Sequence, residues 1–291
     1  KAQEEARGKI AAAINAAQEN EIYFTSGGTE ADNMAIMGAA SASKKGKHII
    51  TSSIEHHAVL HTCQRMEKMG YEVTYLPVDE YGLVRIEDLK AAIRPDTCLI
   101  TIMFANNEIG TIQPVAEIGR IARENKIIFH TDAVQAAGHE PIDVQSMNID
   151  MLSMSAHKFY GPKGVGALYV RKGVRFDNLM FGGAQERNKR PGTDNVPGIV
   201  GMAKALEMAC EHMEENNLRL LEMRNRLKEG IMNTIPDVRL NGHELKRLSN
   251  NLNFSFSYIE GEALLLSLDL RGIAGSSGSA CTSGSLDPSH V

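Results

Sequence analysis

Short apolar runs alternate with segments of helical periodicity along the first two thirds of the chain. The predicted strands are 21–25, 48–53, 71–76, 98–104, 126–132, 149–152 and 165–170. The predicted helices between them are 1–18, 29–43, 57–69, 84–93 and 118–124. Most strands are continuously apolar, which is typical of a parallel or mixed sheet covered by helices on both faces. The pattern therefore predicts an α/β fold.

The pattern changes after residue 180. A polar, glycine-rich loop at 181–193 is too long for a simple connector, and a long helical stretch covers 196–234. Two strands at 238–240 and 251–256 and a helix at 261–268 complete the prediction. We place a domain boundary inside the long helix. The predicted domains are a large one over 1–213 and a small C-terminal α/β one over 214–291.

Chemically useful side chains follow several of the predicted strands. They are the Gly27-Gly28-Thr29 turn, His56, Asn107, Asp132 and Lys158. In open α/β sheets, ligands bind beyond the carboxyl ends of the strands. We therefore expect these residues to meet at one edge of the sheet and to form the functional site.

Lys158 lies between a strand and a Gly/Pro loop, in the stretch 153–164. A lysine held among other cations or in a dry pocket can form a Schiff base with a carbonyl cofactor. The alternative is a solvated surface lysine, because most lysines are exposed. The surrounding residues have to decide between the two.

An anion site is predicted where the first strand runs into a helix. Gly28 allows close approach, the helix N-terminus offers free N–H groups, and Thr29 adds a hydroxyl donor. If the anion is a phosphate, the hydroxyl of Ser155 is a further candidate for binding it. The alternative is an ordinary helix start with Thr29 as its N-cap.

The remaining candidates each have a structural alternative. An aldehyde cofactor with a phosphate and a pyridine ring would use all of these parts. Asp132 could pair with the protonated pyridine nitrogen of such a cofactor, or it could be a strand-end cap or part of a surface ion pair. His56 could cover one face of a ring or cap a helix, and the adjacent His57 competes for either role. Asn107 could be a turn residue. His130 is expected to be structural.

Cys281 stands in a segment of small polar residues and glycine at 275–285. Structural cysteines are usually buried among apolar neighbours, so this setting favours an accessible nucleophile on a mobile loop. The alternative is an exposed thiol without a role.

Composition limits the function classes. The 291 residues carry a net charge of −5 with mixed signs, which excludes a basic nucleic-acid footprint. No apolar run reaches the length of a membrane helix, and no signal peptide is visible at Lys1. The four cysteines lack metal-ligand spacing, so we expect no metal site and a reducing, cytoplasmic location.

Seven segments resemble, in the same order, those of the NifS/IscS class of cysteine desulfurases. They are 25–33, 55–60, 106–110, 130–135, 155–164, 190–193 and 276–290. The last segment resembles group I enzymes rather than the SufS type. The resemblance implies a fold-type I enzyme of the class-V aminotransferase family that depends on pyridoxal 5′-phosphate (PLP). Its large domain would hold a mixed, mostly parallel sheet between helices, followed by a smaller domain.

The resemblance also implies roles in catalysis. Lys158 is then the Schiff-base lysine and later the proton shuttle, and His56 stacks on the cofactor ring. Asp132 pairs with the pyridine nitrogen, and Gln135 hydrogen-bonds the ring hydroxyl. Cys281 attacks the sulfur of the substrate adduct, keeps it as a persulfide and releases alanine.

Further matched residues are implied to bind cofactor and substrate. The phosphate is held by Gly28, Thr29, Ser155 and His157. Asn107 touches both cofactor and substrate, and Thr193 reaches the phosphate of the partner subunit in a homodimer. The implied partners are L-cysteine and an iron–sulfur scaffold protein that accepts the sulfur.

The sequence departs from the family pattern at both ends. The Asp-Asn-Ala and Asn-Pro segments of the family have no counterpart before Lys1. The C-terminal Ser-Ile-Arg-Phe segment, whose arginine binds the substrate carboxylate, has none either. We therefore expect both ends to be cut, and no residue here is assigned that anchor.

Two other functions remain open on the sequence. Another fold-type I PLP enzyme, such as an aminotransferase or a selenocysteine lyase, would share Lys158 and Asp132 without needing Cys281. A non-catalytic partner that keeps the fold would be expected to lose Lys158 or Cys281, and both are present.

Overall fold

A mixed sheet of seven strands forms the centre of the computed structural model, which describes residues 1–278 and 289–291. The strands are β1 (Ile22–Thr25), β2 (His48–Ser52), β3 (Glu72–Leu76), β4 (Thr97–Thr101), β5 (Ile128–Asp132), β6 (Met151–Ser155) and β7 (Gly166–Val170). Their spatial order is β1-β7-β6-β5-β4-β2-β3. Strands β3, β2, β4, β5 and β6 pair in parallel, whereas β7 is antiparallel to both neighbours. The predicted mixed, mostly parallel sheet is confirmed.

Helices cover both faces of this sheet. The helices in the described part of the chain are α1 (Ala2–Ala13), α2 (Gly28–Ala42), α3 (His57–Lys68), α4 (Ile86–Ala92), α5 (Val115–Glu124), α6 (Gln185–Asn188), α7 (Val196–Glu211), α8 (Met213–Thr234) and α9 (Gly261–Asp269). Helices α2 and α3 bury their apolar sides on one face, around Ile49, Leu99 and Met151. Helices α1, α5 and α7 do so on the other, around Ile100 and Phe129. Side chains alternate along each strand, so both faces are apolar and the strand sequences are continuous apolar runs.

The first helix is shorter than predicted. It ends at Ala13 because Asn15 adopts a left-handed conformation (φ 53°). The N–H of Ala16 then donates to the carbonyl of Ala11 at 2.9 Å, as in a Schellman-type helix end. Asparagine tolerates this conformation better than most residues.

The predicted long helix over 196–234 is two helices. The chain breaks at His212, where φ is −107° and ψ is 12°. The break lies next to the predicted domain boundary at residue 213, but the division into 1–213 and 214–291 stays a prediction.

The last part of the described chain forms a second, two-stranded sheet. Strands β8 (Val238–Leu240) and β9 (Phe254–Phe256) are antiparallel. The strand predicted at 251–256 starts later, at Phe254, and the side-chain amides of Asn251 and Asn253 before it donate to the carbonyl of Glu108.

In the described parts of the chain, no helix combines the length and hydropathy needed to cross a membrane.

Candidate active site at the carboxyl edge of the sheet

The chain leaves five strands at the same edge of the sheet. Strands β1 and β6 both run antiparallel to β7, and Thr25 and Ser155 both lie opposite Gly166. Their carboxyl ends therefore lie on the same side as those of the parallel strands β2, β4 and β5. This edge carries the Gly28 turn and the residues that follow the other four strands. The predicted convergence is confirmed.

Lys158 lies three residues beyond β6, on a 3₁₀ turn over Ala156–Phe159. Tyr160 ends this turn in a left-handed conformation (φ 65°), and its successor donates back to the carbonyl of Ala156. The Lys158 side chain is half-buried, and its charge acts on both Asp132 and His56. The half-buried position beside these two residues favours the predicted Schiff-base role over a solvated surface lysine, and that role stays a prediction.

The Gly28 turn leaves a helix N-terminus open. Helix α2 begins at Gly28 with Gly27 as its N-cap, so Thr29 is the second helical residue and does not cap the helix. Among the described residues, no side chain caps this end. The first-turn N–H groups are thus available to an anion. A Cβ atom on Gly28 would lie 2.6 Å from Cγ2 of Val134, so only glycine fits.

Ser155 and His157 face the same turn. The Ser155 hydroxyl is 3.0 Å from Nδ1 of His157 and 3.8 Å from where a Cβ atom on Gly27 would stand. Burial and the neighbouring Lys158 lower the pKa of His157, which favours a neutral ring at neutral pH. Hydroxyl, imidazole and helix N–H groups together form a donor set suited to a phosphate.

Asp132 ends β5 and is only 6% exposed. Its Oδ1 accepts the N–H of Val134 at 2.9 Å, so Asp132 does cap the strand end, and among the residues that the structure describes it makes no surface ion pair. Burial raises the pKa of Asp132 to about 6, although the Val134 N–H and the Lys158 ammonium both favour the charged form. A buried carboxylate needs a cationic or donor partner, and a protonated ring nitrogen would supply one.

The fold gives His56 and His57 different neighbours. His56 is the N-cap of α3, where its Nδ1 accepts the N–H of Ala58 at 3.1 Å, so His56 does cap this helix, and its place over a cofactor ring stays a prediction. Burial and the Lys158 charge lower the pKa of His56. The His57 ring instead lies 5.0 Å from each of the rings of His61 and His290. His56 is the one influenced by Lys158.

The turn after β4 is shaped by Asn106 rather than by Asn107. The buried Asn106 accepts the N–H groups of Glu108 and Ile109 through Oδ1, at 2.8 and 3.0 Å. Asn107 is left half-buried at the edge. Asn107 is itself the first residue of the turn over 107–109, so the turn-residue alternative stays open beside the predicted contact with cofactor and substrate.

The other candidates are less constrained. Gln135 is half-buried in the turn after β5, and Thr193 is exposed beyond α6. Cys281 lies outside the described residues. Within 1–278 and 289–291, no three His, Cys, Asp or Glu side chains are grouped as a metal site would need.

His130 matches the expectation of a structural histidine. It is fully buried, and its ring nitrogens bond the hydroxyls of Thr101 and Ser153 at 2.8 and 2.9 Å. Burial lowers its pKa to about 3, so the ring is neutral.

Several buried acids, among them Glu55, Asp32 and Glu186, were not among the site residues predicted from the sequence. Glu55 accepts the N–H of Met103 through both carboxyl oxygens, at 3.0 and 3.1 Å, and burial raises its pKa to about 8. Asp32 and Glu186 are also buried. Asp32 and Glu55 belong to the matched segments 25–33 and 55–60, and Glu186 belongs to the polar loop 181–193. No other feature of the sequence pointed to these three residues.

Comparisons with known proteins agree with this geometry. The family model described as aminotransferase class-V matches residues 1–291. The cysteine desulfurase IscS of Methanosarcina thermophila is 65% identical over 287 residues, covering 98% of this chain and 70% of that protein.

Two solved structures share the fold. A NifS-like protein superposes with a TM-score of 0.91 at 42% identity, covering 95% of this chain and 76% of that one. A structure described as SspA in complex with cysteine gives 0.84 at 42% identity, covering 99% and 80%. The chain therefore belongs to the aminotransferase class-V family and, within it, to the PLP-dependent cysteine desulfurases.

Proposed function

We propose that the site at the carboxyl edge of the sheet removes sulfur from L-cysteine, releases L-alanine and leaves a persulfide on Cys281. The observation that carries this proposal is the meeting of Lys158, Asp132 and the Gly28 turn at one edge, in a chain of this family. The SspA structure, which contains cysteine, supports the choice of substrate.

The residues at the edge fit PLP. The open α2 N-terminus, Ser155 and His157 would hold the phosphate, with Thr29 adding its hydroxyl. The buried Asp132 would pair with the ring nitrogen, and the amine of Lys158 would hold the aldehyde carbon. PLP, when bound, supplies an aldehyde that takes up the substrate amine and a ring that accepts electrons.

The remaining contacts with the cofactor are proposed from the positions of the residues around the edge of the sheet. His56 would cover one face of the ring, Gln135 would bond the ring hydroxyl, and Asn107 would touch cofactor and substrate. Thr193 would reach the phosphate of a second subunit. Exposure of the large side chains of Tyr160 (90%) and Phe181 (88%) near these elements supports a homodimer that covers them.

Protons and sulfur move between named atoms in this proposal. Nζ of Lys158 takes the proton from Cα of the substrate. The thiolate of Cys281 attacks the substrate sulfur, so that an S–S bond forms as the Cβ–S bond breaks. The electron pair of the broken bond remains on the carbon side, where Cβ gains a proton. The balance is cysteine plus the Cys281 thiol giving alanine plus the Cys281 persulfide, without an external oxidant.

The persulfide would then pass to an acceptor. A persulfide sulfur is open to attack by another thiolate, so the acceptor must present a free thiol. We propose an iron–sulfur scaffold protein as that acceptor.

The test is a single turnover of the PLP-loaded protein with stoichiometric L-cysteine. Amino-acid analysis should find alanine, and the mass of the peptide containing Cys281 should rise by one sulfur. The matched controls are Cys281→Ser, which should abolish both signals, and Cys210→Ser in α7, which should change neither.

Other products would contradict the proposal. Pyruvate or an aminated cofactor, with an unmodified Cys281 peptide, would move the protein to a β-lyase or aminotransferase. Alanine formation that survives Cys281→Ser would remove the persulfide step.

A further inference from the structure

Asp32 is a buried carboxyl that the proposed reaction does not use. It lies on the sheet-facing side of α2 and is 1% exposed. Its Oδ1 has no hydrogen-bond partner in the described part of the chain. Burial disfavours an ionised carboxylate in this position, because Oδ1 has no donor among the described residues to compensate the charge.

His130 is the neighbour of Asp32 that could carry a positive charge, but the two residues do not form an ion pair. Nε2 of His130 lies 3.7 Å from Oδ1 of Asp32, which is too long for a hydrogen bond. Both ring nitrogens of His130 are already bonded to hydroxyls, and burial keeps this ring neutral. His130 therefore provides no cation for Asp32.

Asp132 is a second buried carboxyl on the side of the sheet that helix α2 covers. His130 and Asp132 are two residues apart on β5, so they point to the same face of the sheet, and Asp132 lies opposite Ser153 on β6. Asp132 has a backbone N–H donor and the Lys158 ammonium, whereas Asp32 has neither. Two neighbouring buried carboxyls share one negative charge, and it goes to the better solvated one.

The other acid that faces this pair is also neutral. Glu55 at the start of α3 contributes to the environment of both Asp32 and Asp132. Burial raises its pKa to about 8. The titratable groups around Asp32 are thus His130, Asp132 and Glu55, and among these only Asp132 carries charge near neutral pH.

We propose that Asp32 is a positioning residue that carries a proton, and that its neutral acid, together with Ser153 and His130, keeps the Asp132 carboxylate ionised to meet the ring nitrogen of PLP. The first half stands on Asp32 and its neighbours alone, and the second half rests on the proposed function.

A chain of donors accommodates the proton. With the proton on Asp32, its O–H would donate to Oγ of Ser153, and the Ser153 O–H would donate to Nε2 of His130, which lies 2.9 Å away. Nδ1–H of His130 then donates to Oγ1 of Thr101. Every polar hydrogen in this chain has an acceptor, and no charge is placed next to Asp132.

The first test measures the proton on Asp32 in the PLP-free protein. Infrared difference spectra near neutral pH compare the wild type with Asp32→Asn, which keeps the shape of a neutral acid. We expect the variant to lose a band of protonated carboxylic acid. The control Asp269→Asn, on the exposed surface of α9, should lose carboxylate bands instead. Loss of carboxylate bands in Asp32→Asn would overturn the proposal, whatever the enzyme does.

The second test measures PLP affinity and the pH dependence of the cofactor absorbance. Asp32→Asn should match the wild type in both, because it is neutral. Asp32→Leu lacks the polar group that orders Ser153, so the pKa of Asp132 should rise and less of this carboxyl should be ionised. We therefore expect Asp32→Leu to bind PLP about tenfold more weakly. Wild-type behaviour of Asp32→Leu would overturn the positioning role.

Asp132→Asn separates this proposal from the proposed function. It should weaken PLP binding and change the cofactor spectrum more than any Asp32 variant. If Asp132→Asn has no effect, the proposed role of Asp132 fails, while the infrared result on Asp32 keeps its meaning.

Discussion

The guanidinium of Arg7 and the carboxylate of Glu186 form two parallel hydrogen bonds of 2.8 and 2.7 Å, although 179 residues separate them in sequence. Their side chains are 3% and 1% exposed. Oε2 of Glu186 also accepts the N–H of Phe24 at 2.8 Å. The pair therefore ties the polar loop 181–193 to β1, the strand that leads into the Gly28 turn.

Removing the charge of Glu186 should destabilise the protein strongly. In Glu186→Gln the buried Arg7 guanidinium keeps only the exposed Glu4 carboxylate as a counter-charge, and breaking a buried pair costs about 3–5 kcal/mol. Urea unfolding of the two proteins measures the loss. The control is Glu124→Gln, which breaks an exposed pair with Arg120 and should leave the unfolding midpoint unchanged. Similar midpoints for both variants would contradict the role of the Arg7–Glu186 pair.

Glu55 should make the protein less stable as the pH rises. Its pKa is about 8 in the folded state, compared with about 4.3 when unfolded, so folding requires proton uptake between these values. Stability is fully present below about pH 4.3 and falls by up to about 1.4 kcal/mol per pH unit between about pH 4.3 and pH 8, above which this group causes no further loss.

The variant Glu55→Gln isolates this effect because glutamine does not titrate. We expect it to be more stable than the wild type near pH 8, with the difference shrinking toward pH 4.5. Urea unfolding at several pH values provides the two curves. Parallel curves would show that Glu55 is not the neutral acid described here.

Gly28→Ala should weaken cofactor binding through a steric clash. The added methyl group would lie 2.6 Å from Cγ2 of Val134, so the turn must move. Overpacking of this kind costs about 1–3 kcal/mol, which corresponds to roughly tenfold to hundredfold weaker PLP binding if the strain falls on the turn. PLP fluorescence titration measures the change.

A second substitution can relieve the Gly28 clash. Adding Val134→Ala to Gly28→Ala removes the opposing methyl group and should restore part of the affinity. Gly230→Ala in α8, where a Cβ meets nothing within 4 Å, is the control and should leave PLP binding unchanged. Failure of the double variant to recover would show that Val134 is not the obstacle.

His56 and His57 should behave differently when substituted. His56→Ala removes both the α3 cap and the ring near Lys158, whereas His56→Asn can keep a cap acceptor. We therefore expect both variants to alter the PLP absorbance but only His56→Ala to lower stability, by about 1 kcal/mol. His57→Ala should leave the absorbance unchanged. An altered absorbance in His57→Ala alone would reverse the assignment.

The strands and their common edge were predictable because they depend on local pattern. Continuous apolar runs identified all seven strands of the large sheet, with ends within three residues of those observed. The parallel arrangement then brought Asp132, Lys158 and the Gly28 turn together. The end of α1 was missed because Asn15 continues a helical composition while adopting a left-handed conformation.

The buried acids could not be predicted from local sequence. Glu186 occupies a polar loop, and its burial depends on Arg7, which is distant in sequence. Asp32 stands between Ala31 and Asn33 in a helix start, and only the packing of α2 on β5 and β6 buries it. The break at His212 carries no glycine or proline signal, so one helix was predicted instead of two.

Lys158 is the lysine that we expect to hold PLP. Borohydride reduction of the PLP-loaded protein fixes the cofactor on the lysine that binds it, and peptide mass mapping locates that lysine. We predict a label on Lys158, loss of the label in Lys158→Ala, and an unchanged label in Lys163→Ala, a variant of an exposed lysine in the same loop. A label on any other lysine in the wild-type protein would show that Lys158 does not hold PLP.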